Sequence, residues 1–337
     1  KMDNTAFLTL TASSDTVKYG NNNFYGSVVD VTTSKFVNSS EVLASALVTS
    51  SQQKIKALVP TEKLEIEGTW DKDHIDFNGD IRQIASTNRA SLMGEIRFLP
   101  AGLDIGFKKS QLNLLDEEWH IPTESVISIV GSNVNFSNLG LVNGKQRLFL
   151  NGIISEDPFK GLTLDIRNFK LSTLNTVLNT KIQGIMDGTS RVKDVYNNPS
   201  LDASFNIESL GYGGYEFGNF AGTGDWDTEK GQLEVDALLS KNTEKVFKLN
   251  GFYRPRLAAN TLDLKATFNQ ADFKGIEPFA ENLISDISGK AQGTVAIKGT
   301  VAAPILEGSL MVEKGRMKFD YLQSVFTFND KINFSES

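Results

Sequence analysis

Leu262, Leu264, Ala266 and Phe268 are apolar, while Asp263, Lys265, Thr267 and Asn269 between them are polar. This period of two predicts a half-buried strand with one greasy and one wet face. The same alternation runs through Leu162, Leu164 and Ile166, and through Leu233, Val235, Ala237 and Leu239. It recurs in the pairs Phe205 and Ile207, Val295 and Ile297, Leu310 and Val312. Polar or glycine-bearing stretches such as Asp71-Lys72-Asp73, Asn143-Gly144 and Asp227 to Gly231 separate the runs and permit short hairpin connections. The pattern predicts an antiparallel meander. Three stretches break it. Ser172 to Leu178 spaces Leu174, Val177 and Leu178 as a helix does, and Ala271 to Leu283 spaces Phe273, Ile276, Phe279 and Leu283 similarly around Pro278. Each reads as a short amphipathic helix that either covers an apolar groove or caps local core. Glu41 to Val48 is a weaker helical candidate, or a loop.

A second order of repetition lies above the strands. Ile182-Gln-Gly184-Ile-Met-Asp-Gly188-Thr189 falls on Ile287-Ser-Gly289-Lys-Ala-Gln-Gly293-Thr294. The match continues in register, with Pro199 on Pro304, Leu201 on Leu306, Phe205 on Leu310 and Ile207 on Val312. Leu148-Phe-Leu150-Asn-Gly152 recurs as Phe247-Lys-Leu249-Asn-Gly251, and more faintly as Leu64-Glu-Ile66-Glu-Gly68. The expected organisation is an open-ended array rather than a closed globule. Residues 1–63 form its weakly matched N-terminal part and 64–334 a continuous array, with internal repeats at about 148–246 and 247–334 and no separate globular domain.

With 34 Lys plus Arg against 41 Asp plus Glu, the chain carries a net charge of −7, which disfavours nucleic acid as its main partner. Cysteine is absent, which removes disulfides and thiolate chemistry. No run approaches the roughly 18 apolar residues of a membrane-spanning helix, so the chain itself is not expected to span a membrane. It opens in mid-alternation at Thr5 to Leu10 and closes in a strand-like run at Val325 to Phe334, as an excised piece would.

Chemical motifs are sparse. His74 and His120 lie far apart without carboxylates at ligand spacing. Asp225 to Gly231 resembles a calcium loop whose glycine comes one place late, and a hairpin turn explains it better. Ser288-Gly289-Lys290-Ala291 lacks the flanking residues of a phosphate-binding loop. The two Gly-x-x-x-Gly pairs read as close backbone packing or bulges. Asp116 to Glu118 beside Trp119 is either a docking point or a solvated turn before a buried Trp. No catalysis, metal or cofactor is expected.

Taken in order, Gly-x-x-x-Gly-Thr, an alternating strand, a Pro loop and a further apolar strand carry a family likeness. The segment from Ser288 to Leu310 resembles the translocation and assembly module subunit TamB, within the AsmA-like group. So do Asp116 to Trp119, Leu148 to Phe159 and Leu162 to Leu174, which look most like the versions found in Bacteroidetes. The likeness covers the chain from about Leu64 onward. It implies a middle-to-C-terminal slice of a long periplasmic protein. The whole would be anchored in the inner membrane by an N-terminal helix and reach a TamA-like outer-membrane barrel through parts outside this slice. It further implies an all-β fold, an elongated curled antiparallel sheet termed a β-taco, with phospholipid passage and outer-membrane protein assembly as its roles.

Curling such a sheet places one alternate set of side chains inside. The set expected to line a lipid groove is Leu148, Leu150, Leu162, Leu164, Ile166, Phe205, Ile207, Leu233, Val235, Leu239, Phe247, Leu249, Leu262, Leu264, Phe268, Val295, Ile297, Leu310 and Val312. Phe205, Phe247 and Phe268 either line that groove or form ordinary core between two closed sheets. Acyl chains gain about 0.8 kcal/mol per buried CH₂, and a headgroup left at the open seam needs no charged pocket. Within the same fold, a free sheet edge offers a rival role in templating outer-membrane strands. From other classes, a structural or adhesive β-repeat stalk with a closed core and a carbohydrate-active β-solenoid compete, the latter lacking paired acids and aromatic platforms on one outward face.

Overall fold

The computed structural model describes residues 5–36, 42–56, 59–115, 117–178, 180–280 and 283–335. The described residues form 22 strands, one short α-helix and one 3-10 helix, so the fold is all-β, and every strand pairing given below is antiparallel. The chain divides into two compact units: residues 1–167, 173–180 and 193–198 in the first, and 168–172, 181–192 and 199–337 in the second.

The first unit opens as a plain meander of β1 (Thr5–Tyr19), β2 (Asn22–Phe36), β3 (Val42–Lys54), β4 (Thr61–Asp71), β5 (His74–Gln83) and β6 (Arg89–Leu99), each paired with the next. Short strands follow: β7 (Gly102–Phe107), β8 (Ser110–Leu114), β9 (Glu117–Ile121) and β10 (Val126–Val130). β6 pairs with β7 along one half and with β8 along the other. On the far side, β11 (Asn133–Asn143) pairs with β10 and, at Val142 opposite His120, with β9. Two short hairpin rows thus lie end to end between two long strands, a departure from the simple meander. Trp119 of β9 is buried there, while Asp116 lies outside the described residues. β12 (Gln146–Ile154) and β13 (Gly161–Lys170) continue the order.

The weaker helical candidate at Glu41 to Val48 is extended from Val42 on, where β3 begins. Its helical reading fails because the segment pairs with β2 on one side and β4 on the other, and β-branched Val48 suits the pleat; Glu41 is outside the described residues. The helix expected at Ser172 to Leu178 is α1 (Thr173–Leu178); the side chain of Val177 is not among those described.

In the second unit, after β14 (Ile182–Lys193), strands β15 (Ser200–Tyr212), β16 (Tyr215–Asp227), β17 (Gln232–Lys241), β18 (Glu244–Tyr253), β19 (Leu262–Asp272), β20 (Ile284–Gly299), β21 (Pro304–Phe319) and β22 (Ser324–Phe334) pair in strict sequence order from β15 on. The loop likened to a calcium site is the β16–β17 turn, where the Asp227 carboxylate accepts from the peptide N–H groups of Glu229 and Lys230. The second expected helix is shorter and tighter than the spacing suggested. Ala271 still belongs to β19, and a 3-10 helix covers only Phe273–Phe279, with Pro278 inside it.

Among the described strand pairings, six strands carry the same irregularity. β4, β11, β15, β19, β20 and β21 each advance three residues while their partner advances two, and one intervening residue has a positive φ: Lys63, Asn138, Ser209, Gln270, Asp286 and Lys314 respectively. These are β-bulges, which bend the strand and strengthen its twist. The peptide N–H freed at a bulge needs another acceptor. Asn151, Asn219 and Asn329 on the adjoining strands accept it from Asn138, Ser209 and Lys314 at 2.8, 3.0 and 3.1 Å, and Glu277 of the 3-10 helix accepts it from Asp286 at 3.2 Å.

Candidate functional site: an apolar cavity in the second unit

Direct cross-strand partners share a face of a sheet. The pairings of the second unit align Ile207, Phe220, Leu239, Phe247, Phe268, Gly293, Leu310 and Ile332 in one row across eight strands. A parallel row holds Phe205, Gly222, Ala237, Leu249, Ala266, Val295, Gly308 and Phe334, and a third Val235, Gly251, Leu264, Ile297 and Leu306. Leu233 and Leu262 flank Tyr253 in a fourth. Asp236, Lys248 and Lys265 alternate with these residues and point to the exposed opposite face.

Two glycines in these rows mark where backbones close in. Gly251 has φ +141° and Gly293 φ +143°, and a Cβ on either would lie 2.2 Å from the Asp263 carbonyl oxygen or 2.3 Å from that of Ser309. Only glycine adopts such a conformation freely, and here the neighbouring strand occupies the space a side chain would fill on the apolar side.

That face and the 3-10 helix enclose a cavity of about 650 Å³, lined by strands β16 to β22. Leu239, Phe247, Phe268, Val295, Ile297 and Leu310 of the expected groove set line it, with Ala266, Leu306, Ile332 and Phe334. Phe247 and Phe268 meet edge to face at 5.0 Å, a favoured aromatic geometry. Leu239, Phe247, Phe268 and Ile297 are only half-buried, so this part of the face is not sealed beneath a second layer.

The other expected residues lie elsewhere. Phe205, Ile207, Leu233, Val235, Leu249, Leu262 and Leu264 occupy the same face without lining the cavity. Val312, wholly buried, belongs to a cluster with Phe273, Ile287 and Ala291. In the first unit Leu148 faces Ile166 and Leu141, Leu150 faces Leu164 and Leu139, and Leu162 faces Gly152, again as one apolar face.

The 3-10 helix is fastened at both ends. Phe273 enters the Val312 cluster and meets the edge of Phe328 at 6.1 Å. Phe279 stacks on Tyr212 at 5.4 Å and lies 6.2 Å from Phe217. Its two ends therefore contact β20 to β22 on one side and β15 and β16 on the other, with β17, β18 and β19 between them in the sheet order.

Beside the helix a charged group interrupts the apolar wall. Asp272, the last residue of β19, accepts from Lys290 Nζ at 2.6 Å, from Lys241 Nζ at 2.9 Å and from the Tyr215 hydroxyl at 3.3 Å. Lys241 also sits 5.2 Å from the Tyr215 ring centre, within cation–π range. All four side chains line the cavity. Partial burial works to raise the Asp272 pKa, but the hydrogen bonds from Lys290 and Lys241 outweigh it and hold the carboxyl at about 2. The bond to Asp272 raises the Lys241 pKa against the opposing effect of burial, and burial, then the Asp272 charge, raises that of Tyr215. Sequence reading missed this group, although one signal was present: Lys241 extends the alternating set Leu233, Val235, Ala237 and Leu239, a charge in the apolar phase.

Because the folded Asp272 pKa lies below the ordinary 3.8, its contribution to stability is full above about pH 4 and is lost as pH falls toward 2. At ~1.4 kcal/mol per unit the drop from 3.8 to about 2 amounts to at most about 2.5 kcal/mol. In urea unfolding, the stability gap between the wild type and Asp272→Asn is expected to shrink between pH 5 and 2.5. A gap independent of pH would show that the lysines do not hold this carboxylate.

The two histidines make only surface pairs, His74 with Asp73 and Asp76 at 3.4 and 3.8 Å, and His120 with Glu118 at 3.5 Å. Asp73 ends the tight turn just before His74, and Asp76 lies two residues on along β5, on the same face. No helix among the described residues is long and apolar enough to cross a membrane. In comparisons with known proteins, no family model, no curated protein and no solved structure matches the chain.

Proposed function

We propose that this chain is a periplasmic, non-enzymatic segment of a TamB-like inter-membrane protein, and that the apolar face of its sheet forms a curled trough for the acyl chains of phospholipids passing between inner and outer membranes. A role in supporting outer-membrane protein assembly belongs to the same reading. One observation carries it: within an apolar face held in register over eight strands, Leu239, Phe247, Phe268 and Ile297 stay half-buried around a cavity instead of being sealed under a second layer. The bulges, which bend their strands, and the close backbone approach at Gly251 and Gly293 support the curl. The family resemblance supplies the inter-membrane setting.

The physical case is one of solvation. Carrying ten methylenes through water costs about 8 kcal/mol at ~0.8 kcal/mol each. An apolar wall removes much of that barrier without chemical work, and net flow follows whatever gradient of lipid exists. A closed-core stalk would instead bury Leu239, Phe247, Phe268 and Ile297 completely.

Protein purified without detergent is expected to carry phospholipid, detected by solvent extraction and mass spectrometry. Preparations free of lipid that also fail to take up a neutral hydrocarbon probe would overturn the trough in favour of the stalk.

A further inference from the structure

On the side of Asp272 the apolar cavity adjoins polar side chains. A second recess of about 450 Å³, lined by Gln270, Asp272, Ser288, Lys290, Glu313 and Lys314, shares Gln270, Asp272 and Lys290 with it. One wall is thus apolar on one side and polar on the other, as an amphiphile is. At the junction Lys241 and Lys290 supply two positive charges against the single negative charge of Asp272, which leaves an excess of one. Glu313 and Lys314, farther along the recess, cancel each other in formal charge.

The three charged residues come from three strands, β17, β19 and β20, and a bulge at Gln270 brings Asp272 opposite Lys290. Asp272 occupies the place between two ammonium groups that the oxyanion of a ligand would take. The carboxylate acts as an internal counter-ion: it keeps both lysines pointed at one spot while no ligand is bound, and competes with any anion that arrives.

We propose that Lys241 and Lys290 form a seat for the anionic group of a single-chain amphiphile, a carboxylate or a phosphate, whose hydrocarbon tail lies in the apolar cavity. This rests on the trough reading for the tail and adds to it a preference for charge at one end. A headgroup is then held at a fixed point beside the 3-10 helix instead of drifting in water along an open seam. Two ammonium donors converging on one oxyanion give charge-assisted bonds, the strong class of hydrogen bond, and their position at a partly exposed rim sets a moderate discrimination.

The test compares dodecanoate, dodecyl phosphate and dodecanol, three ligands with one tail, by calorimetric titration of the full chain at low salt and below micellar concentrations. Both anions are expected to bind about tenfold more tightly than the alcohol. Lys241→Gln with Lys290→Gln should cut anion binding about tenfold and close the gap to the alcohol, whose own affinity falls much less. Asp272→Asn should do the reverse and tighten the anions, a direction that mere loosening of the fold does not produce. A phosphate bound more tightly than the carboxylate assigns the seat to a phospholipid-type head, and the opposite order to a fatty acid. Equal binding of all three ligands, unmoved by the lysine variant, would overturn the seat and leave the trough standing. Failure of all three to bind would overturn both.

Discussion

Alanine in place of Phe273 is expected to lower the stability of the second unit by about 3 to 5 kcal/mol, near the top of the range for truncating a buried aromatic ring. The ring lies among Ile287, Ala291 and Val312, which are almost inaccessible, and against the edge of Phe328. The helix it begins has little stability of its own. Short 3-10 turns have poor hydrogen-bond geometry, Pro278 removes a donor, and Asp272 makes no side-chain cap. Most of its order is therefore tertiary, and Phe273 is its deepest anchor. Phe279→Ala at the other end should cost less than about 1 kcal/mol, because that ring is 71% exposed despite its stack on Tyr212. Urea midpoints of the two variants check the contrast. Equal small losses would mean that the helix is not held through Phe273.

Aspartate at both Phe247 and Phe268 is expected to weaken binding of a neutral probe such as N-phenyl-1-naphthylamine by about a hundredfold or more, while leaving the sheet folded. The two rings touch in the cavity wall and are half-buried. Two carboxylates there remain reachable by water, so they stay charged rather than unfold the strand, but a hydrocarbon tail laid over them must strip that water away at about 1 to 3 kcal/mol per polar group. Thr267→Asp places the same charge one residue along β19, on the opposite face with Lys248 and Thr294, and should change nothing. Fluorescence titration distinguishes these outcomes. Equal effects from both faces would show that the probe does not enter the cavity.

The strands were legible because apolar residues two apart need only one face of a pleated sheet to bury them. Leu262 to Phe268 and Leu233 to Leu239 show this in its simplest form. Local spacing was less informative where tertiary contacts decide. In Ala271 to Leu283 the apolar positions suit a helix, yet pairing with β20 keeps Ala271 and Asp272 extended and leaves one short 3-10 segment. Glu41 to Val48 was ambiguous for the same reason. The charged rim was hidden more deeply. Asp272, Lys241 and Lys290 meet only through the pairing of β17 to β20 and a bulge whose place no single strand announces. A headgroup was expected to need no charged pocket, yet Lys241 and Lys290 meet on Asp272 beside the 3-10 helix.

The six bulges bear on how a chain of this kind tolerates change in length. Elsewhere in a strand, deleting one residue inverts every side chain beyond the cut, sending apolar groups into solvent and charges into the cavity. Between Phe268 and Ala271, or between Ile207 and Leu210, the strand already carries one residue more than its neighbour. Loss of that surplus residue keeps both halves in phase and removes only the bend. Within a bulged strand, single-residue deletions are thus confined to one point, where they reset the local curvature of the wall without rewriting which side of it meets water.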